Sequence, residues 1–360
     1  MNDYEKLREL LHKHPAGAPP SESFLEILRT LFSDDEVKVA LGMVFATRSA
    51  SEIAERAGVL ESEARTRLES MANKGIIYSR VKDGEMGYAL LPTIPGVFEF
   101  PFMTGGGTPM HEKLARLWEK YHREALGQEF AGSQTPFTRV IPVEAAVDAR
   151  AEILPFEEIS RMFEKVETFA LAQCACRVSV AACERPRDVC LIMDKTGEFL
   201  IERKLARKIT KAEALAVVRR AEEAGLVHIT NNSQDRLGLI CNCCPCCCTI
   251  LRGLTQLKNP NAFAKSRWRA EVNAELCTGC GICEEERCPM AAVKVGESVA
   301  QVDVERCIGC GLCATACSEE AIFMVLREDQ PETPKTVAEM GLKIATEKGR
   351  APEFIKLIQR

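Results

Sequence analysis

Two runs of four cysteines near the C-terminus constrain the fold of this chain more than any other feature. The first run, C-x2-C-x2-C-x4-C-P, consists of Cys277, Cys280, Cys283 and Cys288. The second run, C-x2-C-x2-C-x3-C, consists of Cys307, Cys310, Cys313 and Cys317. Two such runs in tandem are the ligand pattern of a pair of [4Fe–4S] clusters, because the short spacings let three thiolates from one turn reach three irons of one cube. Two zinc sites are the alternative, but zinc sites more often pair two separated C-x2-C knuckles.

Residues 271–327 resemble a bacterial two-cluster ferredoxin domain, a family in which the fourth cysteine of each run binds the other cluster. The resemblance implies that one cluster is held by Cys277, Cys280, Cys283 and Cys317. It implies that the other is held by Cys307, Cys310, Cys313 and Cys288. The sequence departs from the family in two places, since four residues rather than three precede Cys288, and Ser318 stands where a proline is common. The extra residue is expected to lengthen a loop and to change the solvent access of one cluster. Where the backbone passes close to a cube, glycines are expected, and they are Gly279, Gly281, Gly309 and Gly311.

The composition is that of a globular protein whose cysteines bind metal. The length of 360 residues predicts two or three domains, and no apolar run approaches the ~20 residues of a membrane span. The N-terminus MNDYEKLREL is not that of a signal peptide, so the 18 cysteines are expected to be reduced and metal-bound in the cytoplasm of an anaerobe. A net charge of −5 argues against a dominant electrostatic hold on nucleic acid.

Residues 34–102 show the pattern of three helices followed by a β-hairpin. EVKVALGMVFAT, SASEIAERAG and SEARTRLESMANKG have helical spacing, and IIYSRVKDGEMGYALL is predicted to form two strands joined at Asp83 and Gly84. This order resembles a winged helix-turn-helix, a fold of many bacterial transcription regulators that also serves as a protein-docking module. Between Glu36 and Leu91 there are eight acidic and eight basic residues, which do not provide the basic field that a DNA-reading helix needs.

The chain is predicted to be an α+β multidomain protein with six segments. They are an N-terminal helical segment (1–33), a winged-helix-like domain (34–102), a linker and helix (103–155), a mostly helical cysteine-rich domain (156–262), a two-cluster ferredoxin-like domain (263–328) and a C-terminal helical tail (329–360). In the cysteine-rich domain PFEEISRMFEKVETFALA is predicted to be an amphipathic helix, and Thr210 and Glu213 form a capping box for another. His111 and His122 are interpreted as surface residues.

Ten further cysteines lie in two groups in the middle of the chain. The first group is Cys174, Cys176, Cys183 and Cys190, and the second is Cys241, Cys243, Cys244, Cys246, Cys247 and Cys248. Six thiols in eight residues would crowd and cross-oxidise as core residues, so we predict at least one further iron–sulfur cluster with ligands from both groups. A zinc site, two clusters that share the second group and a non-cubane cluster remain alternatives. Cys190, in the apolar DVCLIMD, is the best candidate for a core cysteine.

The whole arrangement resembles a recurrent group of anaerobe proteins that carry only a generic 4Fe–4S-binding label. CACR at 174–177, RPRDVC at 185–190 and ICNCCPCCC at 240–248 carry this resemblance, together with the winged-helix-like start and the ferredoxin-like end. It implies metal binding in the middle domain and no particular reaction. The sequence has no Walker loop and no G-x-G-x-x-G motif that opens a helix after a strand, so no flavin or nicotinamide site is expected.

The sequence therefore favours an electron-transfer protein or subunit without a substrate site of its own. It would relay low-potential electrons through two [4Fe–4S] clusters and a further cluster to a partner redox enzyme. Residues 271–327 contain ten acidic and four basic residues, a balance of −6 that disfavours adding an electron and offers an acidic docking face. The alternative is a redox-sensing, DNA-binding transcription regulator. Self-association through the winged-helix-like domain remains open.

Overall fold

A computed structural model of the protein describes residues 1–82, 84–147, 153–330 and 332–359. The architecture is mixed α/β, with many helices and several small sheets. Within these ranges, no helix is long and apolar enough to cross a membrane. The predicted mixture of helices and strands is confirmed, and the domain boundaries stay predictions.

The helices of the described residues are α1 (Asp3–His12), α2 (Glu22–Leu31), α3 (Asp34–Ala40), α4 (Ala50–Ala57), α5 (Glu61–Asn73), α6 (Pro109–Tyr121), α7 (Gly127–Phe130), α8 (Ile159–Met162), α9 (Ala175–Val180), α10 (Asp194–Glu202), α11 (Lys211–Glu223), α12 (Thr249–Thr255), α13 (Val337–Glu347) and α14 (Ala351–Gln359). Capping residues explain where several of them begin. Thr210 accepts a hydrogen bond from the amide of Glu213, whose carboxylate accepts one from the amide of Thr210. The predicted capping box is therefore present, and equivalent boxes begin α1, α3 and α4.

The strands are β1 (Arg48–Ser49), β2 (Ile77–Lys82), β3 (Glu85–Leu90), β4 (Thr138–Ile141), β5 (Phe169–Ala172), β6 (Cys190–Met193), β7 (Arg207–Ile209), β8 (Val227–Asn231), β9 (Leu239–Cys243), β10 (Trp268–Val272), β11 (Val293–Val295), β12 (Ala300–Val302) and β13 (Ile322–Leu326). They form a three-stranded sheet in the order β1-β3-β2 and a six-stranded sheet in the order β4-β8-β9-β6-β5-β7. The two remaining sheets are the pairs β10-β13 and β11-β12, and the paired strands are antiparallel throughout.

The N-terminal region contains the predicted elements as α3, α4, α5, β2 and β3. The first of these helices ends at Ala40, whereas the sequence pattern extended it to Thr47. Gly42 follows the helix and lies against α4, where an added Cβ would stand 2.6 Å from the carbonyl oxygen of Ile53. Only glycine allows this close approach of two backbones. The predicted turn residue Asp83 lies outside the described residues.

The middle of the chain combines helices α8 to α12 with strands of the six-stranded sheet, a sheet that the prediction of a mostly helical domain did not include. The segment predicted as one long helix forms only α8 and a short 3-10 turn at Phe163–Lys165, and its last four residues are β5. β5 lies between β6 and β7, and all four of its residues are buried. A strand that is buried on both faces shows no alternation of polar and apolar residues, so FALA could not be distinguished from the end of an apolar helix.

One hydrophobic core joins the six-stranded sheet to the C-terminal sheets. It contains Val140 of β4, Ile229 of β8 and Trp268 of β10. Just after β4, the amide of Val143 donates a hydrogen bond to the carbonyl oxygen of Cys310, with an N–O distance of 3.0 Å. The second cysteine run is therefore packed directly on the edge of the large sheet.

The N-terminal and C-terminal helices pack on this body as well. Arg203, which follows α10, donates hydrogen bonds to Glu69 of α5 at 2.6 Å and to Ser79 of β2 at 2.8 Å. Lys348, which follows α13, donates to the carbonyl oxygens of Pro15 and Glu129 at 2.9 and 2.5 Å. The predicted C-terminal helices are thus present, and they are docked on the N-terminal part of the chain.

Candidate metal centres

Two cavities in the C-terminal region are each lined by four cysteines. The cysteines of the first cavity are Cys277, Cys280, Cys283 and Cys317. Those of the second are Cys288, Cys307, Cys310 and Cys313. Each cavity combines three cysteines of one run with the last cysteine of the other run, as the ferredoxin resemblance implied. Four soft thiolates around a cavity suit a [4Fe–4S] cluster, so these residues fit the group.

The glycines between these cysteines are needed for a reason that the sequence did not show. Gly309 has a φ of 72°, and an added Cβ would overlap the carbonyl oxygen of Trp268. Gly279 has a φ of 66°, and an added Cβ would stand 2.7 Å from the carbonyl oxygen of Ser298. The backbone at both positions therefore lies tightly against neighbouring strands and loops of the protein, besides lining the cavity.

The extra residue of the first run is accommodated in a π-helical turn. Cys283–Arg287 form this turn, and the amide of Cys288 donates to the carbonyl oxygen of Cys283 at 3.0 Å. A π turn, closed by an i→i+5 hydrogen bond, contains one residue more than an α turn. The amide of Ala292 then donates to the sulfur of Cys288 at 3.2 Å. The predicted longer loop is thus a compact turn.

The two sets of cysteines differ in their exposure to solvent. Cys280 of the first set is exposed, whereas Cys307, Cys310 and Cys313 of the second set are buried. Burial raises the pKa of the Cys310 thiol to about 12 and raises that of Cys313 well above its usual range. These thiols must lose their protons when metal binds, so metal binding and proton release are linked.

The second group of middle cysteines lies on β9 and on the turn that follows it. Cys241 and Cys243 point to the same face of the sheet, because side chains alternate along a strand. The amide of Cys248 donates to the carbonyl oxygen of Cys244 at 3.1 Å, which closes a tight turn. Cys248 is then the N-cap residue of α12. Adjacent cysteines of ICNCCPCCC therefore leave the chain in different directions.

Four of the middle cysteines form one compact group of sulfur atoms, which we call the four-thiol group. Its members are Cys183, Cys244, Cys246 and Cys247, and all four Sγ atoms lie within 4.8 Å of one another. The Sγ atom of Cys183 is 3.9 Å from that of Cys244 and 3.9 Å from that of Cys247. Cys244 and Cys247 are completely buried. One ligand comes from the segment after α9 and three come from the turn after β9.

The other six middle cysteines form a second, more extended group, which we call the six-thiol group. Its members are Cys174, Cys176, Cys190, Cys241, Cys243 and Cys248. A hydrogen bond from Cys174, which has the larger effect, and one from Cys248 hold the pKa of the Cys176 thiol well below its usual range. A hydrogen bond from Cys190, again the larger effect, and one from Cys243 lower the pKa of the Cys241 thiol in the same way. Cys190, predicted as the best candidate for a core residue, is half-buried and belongs to this group.

Arg177 is a buried cation beside both groups. Its side chain is 0% exposed, and both Nη atoms donate to the carbonyl oxygen of Asn242 at 2.9 Å. Nη1 is also 3.6 Å from the Sγ atom of Cys244. Burial would raise the pKa of Cys244, but the hydrogen bond and charge of Arg177 outweigh it and lower the pKa. In the part of the chain that the structure describes, no carboxylate pairs with Arg177, so thiolates are its available counter-anions.

The family model of Fer4, described as a 4Fe-4S binding domain, matches residues 300–323. Neither the curated proteins nor the solved structures contain a match to the chain. The matched stretch includes Cys307, Cys310, Cys313 and Cys317. Iron–sulfur binding by the C-terminal region is thereby confirmed, and the number of clusters stays a prediction.

Glu99 is a residue beside the six-thiol group that the sequence analysis missed. Burial raises the pKa of its carboxyl group to about 8, a hydrogen bond from the amide of Gly96 at 2.7 Å lowers it, and the nearby Cys176 and Cys241 raise it further. The sequence did carry a sign of this position, because Glu99 is the one charged residue in the apolar run VFEFPF. The carboxyl group therefore lies close enough to Cys176 and Cys241 to interact with their charge.

The interpretation of His122 as a surface residue is wrong. Its side chain is 6% exposed, and burial lowers its pKa to about 4. It lines a small cavity together with Trp118 and Thr249, the first residue of α12. His122 follows the buried Leu114 and Trp118 at spacings of four residues, so ordinary helical geometry already places it on the buried face of α6.

Proposed function

We propose that this protein is an iron–sulfur electron-transfer protein that serves a separate redox enzyme. The observation that carries the proposal is the pair of four-cysteine cavities, each combining ligands from both runs. Such clusters accept and release single electrons. In this proposal Cys277, Cys280, Cys283 and Cys317 hold one [4Fe–4S] cluster, and Cys288, Cys307, Cys310 and Cys313 hold the other. The six-thiol group holds a further iron–sulfur centre.

The exposed cysteine set is the proposed contact site for the partner. Cys280 is exposed, and Glu285, Glu286, Glu319 and Glu320 around this set are exposed as well. The basic side chains of residues 271–327 are too few to cancel this charge, because there are four of them against ten acidic residues. They form hydrogen bonds or ion pairs with protein groups and comprise Arg287, Lys294, Arg306 and Arg327. An acidic face next to an exposed cluster suits docking of a partner with a basic surface.

The buried cysteine set is the proposed contact with the rest of the chain. The carbonyl oxygen of Cys310 accepts a hydrogen bond from Val143, beside β4, and Cys310 shares a hydrophobic core with Cys243 and Cys248 of the middle groups. This packing supports an order in which the outer cluster serves the partner and the inner cluster serves the middle domain. The proposal places the protein in a reducing compartment such as the cytoplasm, where thiolates stay available for metal.

The alternative of a DNA-binding regulator is less well supported. The order of α3, α4, α5, β2 and β3 resembles a winged helix, and the proposal retains it as a docking or self-association module. On α5, the helix that would read DNA, Arg65 is paired with Glu61 at 2.9 Å and Arg67 with Asp35 at 2.8 Å. The end of the helix is held by Arg203 through Glu69. These contacts leave few free positive charges for phosphate.

The cluster assignment is tested by counting iron and sulfide in anaerobically purified protein and by EPR of the reduced form. Cys280→Ser is expected to remove one cluster signal and Cys310→Ser the other, each with a loss of ~4 iron per chain. Cys280 and Cys310 hold equivalent central positions in the two runs, so each variant is the matched control of the other. Wild-type protein with zinc in both C-terminal sites and no sulfide would refute the proposal.

The docking face is tested by electron transfer to the redox protein that co-purifies from the native host. Glu285→Lys with Glu286→Lys should slow association, and transfer by the wild type should weaken as salt shortens the Debye length from ~10 to ~3 Å. Glu284 is unsuitable for this test because it pairs with Lys294 at 2.6 Å and accepts from the amide of Val295 at 2.7 Å. Recovery of a promoter fragment and no redox protein would favour the regulator.

A further inference from the structure

The four-thiol group has a geometry that differs from that of an iron–sulfur cube. Three of its sulfur pairs are 3.9 Å apart, namely Cys183–Cys244, Cys183–Cys247 and Cys246–Cys247. No pair among the four exceeds 4.8 Å. The group is therefore a small, nearly closed shell of sulfur atoms.

A single tetrahedral ion accounts for these distances. Four thiolates bound to one zinc ion at about 2.3 Å lie about 3.8 Å from one another, which follows from the tetrahedral angle. In a cube each thiolate binds a different iron and points away from the centre, so the four sulfur atoms lie farther apart. The observed separation of 3.9 Å agrees with the first geometry.

The other cysteines of the same chain provide an internal comparison. Among the residues that the structure describes, the four-thiol group is the one set of three or more ligand side chains whose donor atoms lie within 4.8 Å of one another. The two C-terminal sets instead each surround a cavity, and no three of their sulfur atoms lie that close together. The six-thiol group draws its members from β6, β9 and the starts of α9 and α12. The compactness is thus specific to one group and is not a general property of cysteines in this fold.

We propose that Cys183, Cys244, Cys246 and Cys247 hold one mononuclear, tetrahedral divalent ion, zinc or ferrous iron, rather than an iron–sulfur cluster. This inference does not depend on the proposed electron-transfer function. Four protein ligands close the coordination sphere and leave no open position for substrate, which is the pattern of a structural site. The ion would tie the segment after α9 to the turn after β9.

Neighbouring groups of the protein are arranged as such a site requires. Four thiolates together carry more negative charge than one divalent ion neutralises. The buried Arg177 supplies positive charge, and its Nη1 atom donates to the Sγ atom of Cys244 at 3.6 Å. The Cys247 sulfur accepts a hydrogen bond from the backbone of Ala182. Groups that donate to bound thiolates orient them and balance their charge.

The position of the turn gives the ion a consequence for the six-thiol group. Cys243 immediately precedes the turn that carries Cys244, Cys246 and Cys247, and Cys248 immediately follows these residues. Both Cys243 and Cys248 belong to the six-thiol group. Closing the turn on one ion therefore sets the distance between two ligands of the neighbouring centre. The adjacent cysteines of ICNCCPCCC are explained in this way, since neighbours in the sequence serve two separate centres.

The experiment compares metal content in full-length Cys246→Ser with Cys280→Ser as its matched control. Cys246 is only partly buried, so its replacement disturbs packing less than replacement of Cys244 or Cys247. Cys246→Ser is expected to lose one metal ion per chain, with labile sulfide and the EPR signals of the two C-terminal clusters unchanged. Cys280→Ser should lose ~4 iron with sulfide and keep that ion. Elemental analysis decides between zinc and iron.

X-ray absorption of the wild-type protein tests the same site without a substitution that could impair folding. If the ion is zinc, its edge should show four sulfur neighbours at about 2.3 Å and no metal neighbour. If it is iron, Cys246→Ser should lose one iron and no sulfide. Loss of ~4 iron together with sulfide from Cys246→Ser would overturn the inference. That result would leave the two C-terminal clusters and the electron-transfer proposal unaffected.

Discussion

Replacement of Arg177 by methionine tests whether the middle cysteines are bound as thiolates. The arginine side chain is completely buried, and both Nη atoms donate to the carbonyl oxygen of Asn242 at 2.9 Å. Nη1 lies 3.6 Å from the Sγ atom of Cys244. Methionine keeps much of the length and the apolar stem of arginine but removes its positive charge and all of its donors.

The expected size of the effect has two parts. The carbonyl oxygen of Asn242 loses its buried donors, which costs about 1–3 kcal/mol of folding free energy. Loss of a group that donates to a bound thiolate lowers metal affinity about 10–100-fold, or about 1.4–2.7 kcal/mol. In metal-depleted protein fewer of the neighbouring cysteines are thiolates, so the buried guanidinium has less compensating negative charge and its removal offsets part of the first cost. Arg177→Met should therefore destabilise metal-loaded protein more than metal-depleted protein.

Two anaerobic measurements check this prediction. Competition with a chelator gives the metal affinity of the four-thiol group, and urea denaturation of loaded and depleted protein gives the two free energies of unfolding. Arg219→Met, at an exposed position of α11, is the control and should change each value by less than about 0.5 kcal/mol. Unchanged metal affinity in Arg177→Met, or equal destabilisation of both forms, would show that Arg177 acts only through packing.

Two further predictions concern the helices that support the middle cysteines and the C-terminus. Arg252 of α12 is buried and donates to Glu119 at 2.9 and 2.5 Å. Breaking a fully buried pair costs about 3–5 kcal/mol, and because Glu119 is partly exposed, Glu119→Gln should lower the free energy of unfolding in urea by about 2–3 kcal/mol. Glu112→Gln, exposed on the same helix, should change it by less than about 0.5 kcal/mol, and equal effects would contradict a role for the ion pair. Burial lowers the pKa of Lys348 from 10.5 to about 8. The unfolded chain then binds this proton more tightly than the folded protein, so stability contributed by the group should rise as pH increases from about 8 to 10.5. A pH series of unfolding should show this rise in the wild type and in the exposed control Lys343→Met but not in Lys348→Met, and superimposable profiles would refute it.

Much of the local structure was predictable because its signals are local. The capping box at Thr210 and Glu213 lies within one helical turn, and α4 and α5 end near Gly58 and Gly75, glycines of the kind that terminate helices in any context. β5 was not predictable in the same way. Its four residues are apolar because two neighbouring strands and packed helices cover it, and none of these neighbours is adjacent in the sequence.

The cysteine spacings by themselves determined that the C-terminal region binds iron and sulfur, because three ligands of each set lie within seven consecutive residues. Only the tertiary structure decided how the ten middle cysteines divide. Cys243 and Cys244 are adjacent, yet the alternation of β9 and the turn that follows it direct their side chains to different groups. Cys183 joins three cysteines that lie about sixty residues farther along the chain because α9 packs beside that turn. A sequence specifies which ligands are available, whereas the distances between their sulfur atoms, which distinguish a single ion from a cluster, exist only after distant segments have packed together.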